Sequence, residues 1–333
     1  MNLHKGLSFK PILMVTLLIA VVVFFGGCGE KTYKVGILSG LDFMAGSIDG
    51  FKAKMTELGY IEGKNITYDI KKSNFDIAVY QSNIKKFIED KVDLIYVFPT
   101  EASLEAKTLT EGTNIPIVFS VANIENNNLV KSITEPGGNV TGVRYPGPEI
   151  ALERFEIMHE MAPQAKRYWL PYQRGYPIIK AQMDLLNPAA EAVGVTLIEA
   201  PADSAAELDK MLQEKAKSGN IDFDAIMFLV DPIAVTPDAF VVMAKFAYEH
   251  KIPIDGVFIQ VGEYSTGFGV NIEPIATGKQ AATLADKIFK GATAGSIPVI
   301  SSEHYFEIDY NAAQKQGLNI TENILSQANK VVR

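Results

Sequence analysis

Two segments of this chain are built to the same plan. Asp93-Leu94-Ile95-Tyr96-Val97-Phe98 and Asp224-Ala225-Ile226-Met227-Phe228-Leu229-Val230 each set an acid before an uninterrupted apolar run. Each run is followed by a proline, Pro99 and Pro232. An apolar run without polar alternation predicts a strand buried on both faces, the mark of a parallel sheet. Such a strand needs helices on both sides and a crossover to reach its neighbour, which confines the chain to α/β architectures.

The flanking residues fit that requirement. Residues 33–38 form a β-prone run ending in the turn signal Ser39-Gly40, and Ile48, Phe51, Met55 and Leu58 then share one helical face. Gly59 is the expected C-cap, since glycine enters the left-handed region without a Cβ clash. A strand is expected at 66–70, a helix carrying Ile77, Tyr80, Ile84 and Phe87, a helix at 100–112 with Thr100 as N-cap, and a strand at 115–119. The order repeats further on: a strand at 195–198, a helix at 208–216, the second apolar strand, a helix at about 234–250 and a strand opening at Ile252-Pro253-Ile254. Leu58-Gly59-Tyr60 matches Val193-Gly194-Val195, and Ile115-Pro116-Ile117 matches Ile252-Pro253-Ile254. The expectation is therefore an α/β chain of two similar βα lobes with parallel sheets.

The breaker-rich stretch from Glu135-Pro136-Gly137-Gly138-Asn139 to Gly147-Pro148 predicts the lobe boundary, with a helix at about 151–161 opening the second lobe. Residues 267–271 and 297–301 are expected to cross back and forth, joined to a long helix whose Ala281, Leu284, Ala285, Ile288 and Phe289 share a face. This divides the chain into a first lobe of 33–147 plus about 271–298 and a second of 148–270 plus about 299–333. Lobes joined by several crossings bend about one hinge, with a ligand between them.

The N-terminus has a different character. Lys5 and Lys10 stand before the apolar run 11–25, which Thr16 alone interrupts, and Gly26-Gly27 precede Cys28, the sole cysteine. A basic start, an apolar core and a small-residue boundary are the parts of a secretory signal. The boundary resembles the bacterial lipoprotein lipobox, from which Phe25 departs. The expectations are a signal peptide at 1–27, lipidation of Cys28, a tether at 28–32, and a chain held to membrane lipid on the extracytoplasmic side. The competing reading is an uncleaved anchor, for which the run is near the lower length limit.

Net charge is −8, and losing 1–27 would remove two lysines and no acid. An acidic chain lacks the basic footprint of a nucleic-acid binder. One cysteine excludes a disulfide framework and a thiolate metal site. There is no Gly-x-Gly-x-x-Gly fingerprint, P-loop or Gly-x-Ser-x-Gly elbow, and His159, His250 and His304 lack metal-ligand spacing. No enzyme, cofactor or metal site is expected.

Further residues carry a family resemblance: Lys34-Val35-Gly36-Ile37-Leu38, Gly50-Phe51-Lys52, Glu57-Leu58-Gly59-Tyr60, Glu62-Gly63-Lys64-Asn65, and Lys91-Val92-Asp93-Leu94-Ile95. The most specific piece is Pro136-Gly137-Gly138-Asn139-Val140-Thr141-Gly142-Val143, with Asn311-Ala312-Ala313 and Leu318-Asn319-Ile320 near the end. Over 33–320 the chain resembles the ABC transporter substrate-binding proteins of the tryptophan/tyrosine type. The resemblance implies a type I periplasmic-binding-protein fold, with two Rossmann-like lobes, three crossovers and a ligand closed between them, and delivery to a membrane permease. Alternatives are a ligand sensor for a membrane signalling receptor and an extracytoplasmic α/β enzyme.

In open α/β sheets ligands sit beyond the carboxyl ends of the strands. The candidates at those exits are Ser39, Asp42, Phe43, Thr100, Glu101, Ser120, Asn123 and Tyr145 in the first lobe. In the second they are Tyr172, Arg174, Asp231, Gln260 and Asn271. Hydroxyls, amides, aromatics and a few charges suit a small polar or amino-acid-like ligand with an apolar part. Arg174 is placed to fork onto a carboxylate and Asp231 to accept from an amine; the plain alternatives are a solvated loop arginine and a turn-forming aspartate. Tyr145 and Tyr172 are natural stackers. The segments 170–176 and 231–234 depart from the family pattern, so tryptophan specificity is not carried over.

Overall fold

The computed structural model describes residues 31–40, 44–73, 76–233 and 236–333, of which Thr32–Arg333 form one compact unit. The signal and lipidation expectations at 1–27 and Cys28 lie outside the described residues, as do Asp42, Phe43 and Ala234.

The first sheet grows from β1 (Tyr33–Ser39), α1 (Gly46–Glu57), β2 (Ile66–Lys72), α2 (Ile77–Glu89), β3 (Leu94–Phe98), α3 (Thr100–Leu109), β4 (Ile117–Ala122) and β5 (Val140–Arg144). Every residue of β3 and β4 is buried, as an apolar run, unbroken in β3 and interrupted only by Ser120 in β4, requires of a central parallel strand. The expected stripe on α2 buries Tyr80, Ile84 and Phe87, and Asp76 caps the helix by accepting from the N–H groups of Ala78 and Val79.

The second half repeats the pattern with α4 (Gly147–Met161), β6 (Arg167–Gln173), α5 (Ile179–Ala192), β7 (Thr196–Ala202), α6 (Ala205–Ser218), β8 (Ala225–Met227), α7 (Pro237–His250) and β9 (Ile254–Asp255). These strands form a parallel sheet in the order β7-β6-β8-β9. The apolar run at 225–230 yields a ladder of only three residues. Beyond Met227 the carbonyls of Phe228 and Leu229 turn to a side chain, Arg154, instead of a neighbouring strand.

A hairpin of β10 (Gln260–Val261) and β11 (Tyr264–Ser265) leads to β12 (Phe268–Ile272), α8 (Pro274–Phe289), β13 (Ile300–Ser301), β14 (His304–Asp309), α9 (Tyr310–Lys315), α10 (Glu322–Gln327) and β15 (Lys330–Val332). β13 joins β5, giving the first sheet the order β13-β5-β4-β3-β1-β2, while β12, β14 and β15 make a small third sheet. α8 lies tightly against α1 because glycines stand at the crossing. A Cβ on Gly50 would fall 2.1 Å from the Ile275 carbonyl oxygen, and one on Gly278 2.0 Å from that of Ser47. The chain thus leaves the first sheet after β5, returns to it with α8 and β13, and leaves again for β14, making two lobes linked by several strands.

Candidate functional site

Strand exits from both sheets open onto one cavity of about 350 Å³. Pro99, Thr100 and Glu101 follow β3, Val121 and Asn123 stand at the end of β4, and Tyr145 follows β5. On the other side Tyr176 follows β6, Leu229 to Pro232 follow β8, Val257 follows β9, and Arg154 and Asn271 come from α4 and β12.

The first-lobe wall is held by short-range bonds. Thr100 is the first residue of α3 rather than its cap, and its Oγ1 accepts from the Asn123 N–H at 3.0 Å. Val121 has φ +50° at a register shift between β4 and β5, a backbone that a β-branched residue adopts only under strain. The kink carries Val121 and Asn123 to the cavity. Asn123 Oδ1 is buried without a hydrogen-bond partner, and a Cβ on Gly147 would sit 3.0 Å from it. Tyr145 donates to Asn271 Oδ1 at 2.6 Å, and burial raises its phenol pKa.

The second-lobe wall is held by clamps. Asp231 Oδ2 accepts from the Gln173 N–H at 2.9 Å and Oδ1 from that of Ile233 at 2.8 Å, the turn-forming role. Gln182, fully buried on α5, both donates to the Val230 carbonyl and accepts from its N–H at 2.8 Å. Arg154 is 2% exposed and donates to the carbonyls of Phe228, Leu229 and Val270. Burial lowers its pKa, with Tyr145 and Glu153 opposing the shift. Burial also raises the Tyr176 phenol, helped by the negative charges of Glu101 and Asp231.

Of the sequence candidates, Thr100, Glu101, Asn123, Tyr145, Asp231 and Asn271 line this cavity. The other described candidates lie elsewhere, each for a visible reason. Ser39 is buried at the end of β1, its carbonyl accepting from Ser73. Ser120 is fully buried in β4 and shares a hydrogen bond with the Tyr96 hydroxyl at 2.8 Å, a phenol that burial pushes up to about 12. Tyr172 is still within β6, where its hydroxyl donates to Glu199 at 2.7 Å. Arg174 is exposed and tied to Asp203 and Glu207 at 3.1 and 2.6 Å, so its fork is already filled by this chain's own carboxylates. Gln260 lines a separate polar groove with Tyr248 and Asp309.

Sequence reasoning passed over Arg154, which lies inside a helix. Its signal was present: Ile150, Arg154 and Met158 are spaced i, i+4, i+8, so one charge stands in the middle of an apolar stripe. Among the described residues no cluster of three His, Cys, Asp or Glu is placed to hold a metal, and no helix is long and apolar enough to cross a membrane.

The sequence profile of the family described as "ABC transporter substrate binding protein" matches residues 35–332. A curated "Tyrosine-binding protein" from Clostridioides difficile (strain R20291) is 29% identical over 256 residues, 75% of this chain and 70% of that one. Among solved structures, a conserved domain protein from Vibrio cholerae O1 biovar El Tor str. N16961 is similar with a TM-score of 0.74 and 26% identity, covering 90% of this chain and 100% of that chain. An ABC domain from Streptococcus pneumonia, solved in complex with L-Trp, gives a TM-score of 0.76 at 22% identity, covering 91% and 100%. At that identity the likeness is one of fold: two α/β lobes of the type I periplasmic-binding-protein kind.

Proposed function

The chain belongs to the ABC transporter substrate-binding protein family, a family of solute binders and not of enzymes, and on that premise we propose that it captures solute for an ABC importer. In this reading the two lobes close on a small polar or amino-acid-like ligand, and the closed form is offered to a membrane permease. The observation that carries it is the cavity itself, fed by strand exits from both sheets, where a ligand touching both walls favours the closed state. A relative described as tyrosine-binding and a structural neighbour solved with L-Trp support an amino-acid-like ligand. The lobes comprise 33–147 with about 271–298, and 148–270 with about 299–333, except that Ile300–Ser301 pair with β5 and belong with the first lobe's sheet. β13 at Ile300–Ser301 stands as the last link from the first sheet.

Substrate-binding proteins of this family work outside the cytoplasm, and the proposal adds that Cys28 holds the chain to membrane lipid. Two or more acyl chains at about 0.8 kcal/mol per buried methylene give stable anchoring. Replacing Cys28 by Ala should release the protein from membranes while leaving ligand affinity unchanged. Retention of the variant in the membrane fraction would make the segment 11–25 the anchor instead. A melt screen over a broad metabolite panel tests the binding claim, because a ligand stabilises by RT ln(1 + [L]/Kd); a flat response to every compound would contradict it.

A further inference from the structure

Arg144, Arg167 and Arg174 each grip a carboxylate of this chain. Arg154, far more buried than Arg174, grips none among the described residues. A guanidinium has five N–H donors. Nε and Nη2 of Arg154 each donate to the Val270 carbonyl at 2.9 and 2.7 Å, and Nη1 donates to Phe228 and Leu229 at 3.1 and 2.8 Å. Four donors are therefore engaged by neutral oxygens, one Nη2–H remains, and among the described residues no carboxylate forms an ion pair with the cation, Glu153 acting on it only through space. Carbonyl dipoles orient the group and solvate it in part; they do not neutralise it.

Beside it, Asn271 has its oxygen identified by two donors, the Tyr145 hydroxyl and the Ile272 N–H. Its amide nitrogen is thereby fixed, and its two N–H groups have no partner among the described residues. Glu101, on the other lobe, lines the same cavity, and its carboxylate makes no hydrogen bond or ion pair among the described residues. Asp231 differs in committing both oxygens to backbone N–H groups. Among the described residues, the cavity thus carries a positive charge from α4 and a negative charge from α3 that no ion pair answers.

We propose that Arg154 and Glu101 fix the polarity of the bound molecule: its carboxylate docks on Arg154 and the Asn271 amide, its ammonium on Glu101. This rests on the reading of the cavity as the solute site and names the charge pattern that site selects. A zwitterion laid this way joins the two lobes through opposite charges, so binding and closure are driven by the same contacts.

The test is calorimetric titration of the full chain with the L-amino acids, a panel of neutral sugars, and a tyrosine series. The series comprises L-tyrosine, tyrosinamide without the carboxylate, and 3-(4-hydroxyphenyl)propionate without the amine. For an amino acid that binds, the matching amide and amine-free acid should each bind at least ~30-fold more weakly, the loss expected when one partner of a desolvated charge pair is removed. In Arg154→Gln, which retains amide donors for the carbonyls, discrimination against the amide should shrink to about threefold or less. Arg154→Lys should keep it. Glu101→Gln should erase discrimination against the amine-free acid alone, and this arm stands even if Arg154→Gln fails to fold. A folded Arg154→Gln with undiminished discrimination would reduce Arg154 to a structural clamp. Saturable binding of a sugar and of no amino acid would overturn the assignment while leaving the solute-binding reading intact. No binding by any panel member would overturn both.

Discussion

Arg154 and Arg174 are the same residue in opposite surroundings. Arg174 stands at a strand exit, where a ligand contact is expected, yet it is exposed and shared between Asp203 and Glu207. Arg154 stands inside a helix, where none is expected, yet it is buried at the cavity wall and, among the described residues, held by carbonyls alone. Position in the topology finds the exit loops; unneutralised charge finds the residue with something left to bind. Asp255 sharpens the point. It is also fully buried, has no ion-pair partner among the described residues, accepts from the N–H groups of Gly267 and Phe268, and burial pushes its pKa well above the usual carboxylate range. A carboxyl relieves burial by keeping its proton, whereas a guanidinium has no such recourse.

Denaturation in urea should separate the two arginines most widely. Arg154→Met strips donors from three buried carbonyls, partly offset by removing a desolvated cation, and should cost about 2 kcal/mol or more. Arg174→Met removes exposed, solvent-screened ion pairs and should leave the urea midpoint at its wild-type value. Equal losses would break the contrast.

The next effect is pH-dependent. A carboxyl whose folded-state pKa is raised binds its proton more tightly when folded. Its stabilising effect is complete below the ordinary carboxylate pKa near 3.9 and is lost as pH rises toward the folded-state value. Asp255→Asn keeps the Oδ1 acceptor and removes the titration. Measured from pH 4 to 7, its stability advantage over wild type should therefore grow, with a slope approaching about 1.4 kcal/mol per pH unit until the folded-state pKa is passed. A constant difference would mean that Asp255 ionises normally in the fold.

The smallest contrast lies between two tyrosines. Tyr145→Phe deletes a buried bond to Asn271 and should cost about 1 kcal/mol. Tyr172→Phe deletes an exposed bond to Glu199 and should cost a few tenths. Thermal melts of the two variants side by side decide it.

The architecture was legible because β3 and the residues around β8 are unbroken apolar runs and β4 is interrupted only by Ser120, a pattern that a covered parallel strand satisfies. β6 was not among the expected strands: Leu170 to Tyr176 read as loop, with Pro171 and polar residues breaking the apolar run, although the ladder with β7 continues to Gln173. About a third of the cavity lining followed from strand exits alone, as Thr100, Glu101, Asn123, Tyr145, Asp231 and Asn271 show. What did not follow was who satisfies whom. Nothing in the order of residues says that Asp203 and Glu207 occupy Arg174, or that the carbonyls beyond β8 turn to Arg154. Those are tertiary facts, and they decide which side chains have bonding capacity left for a ligand.

The central claim is that this cavity binds a small solute, and the most direct measurement is the thermal melt of the purified protein against a metabolite panel. The account predicts a saturable rise in melting temperature with a zwitterionic compound, equivalent to about 2.7 kcal/mol at a hundred times its Kd. An unchanged melting temperature with every compound would contradict it.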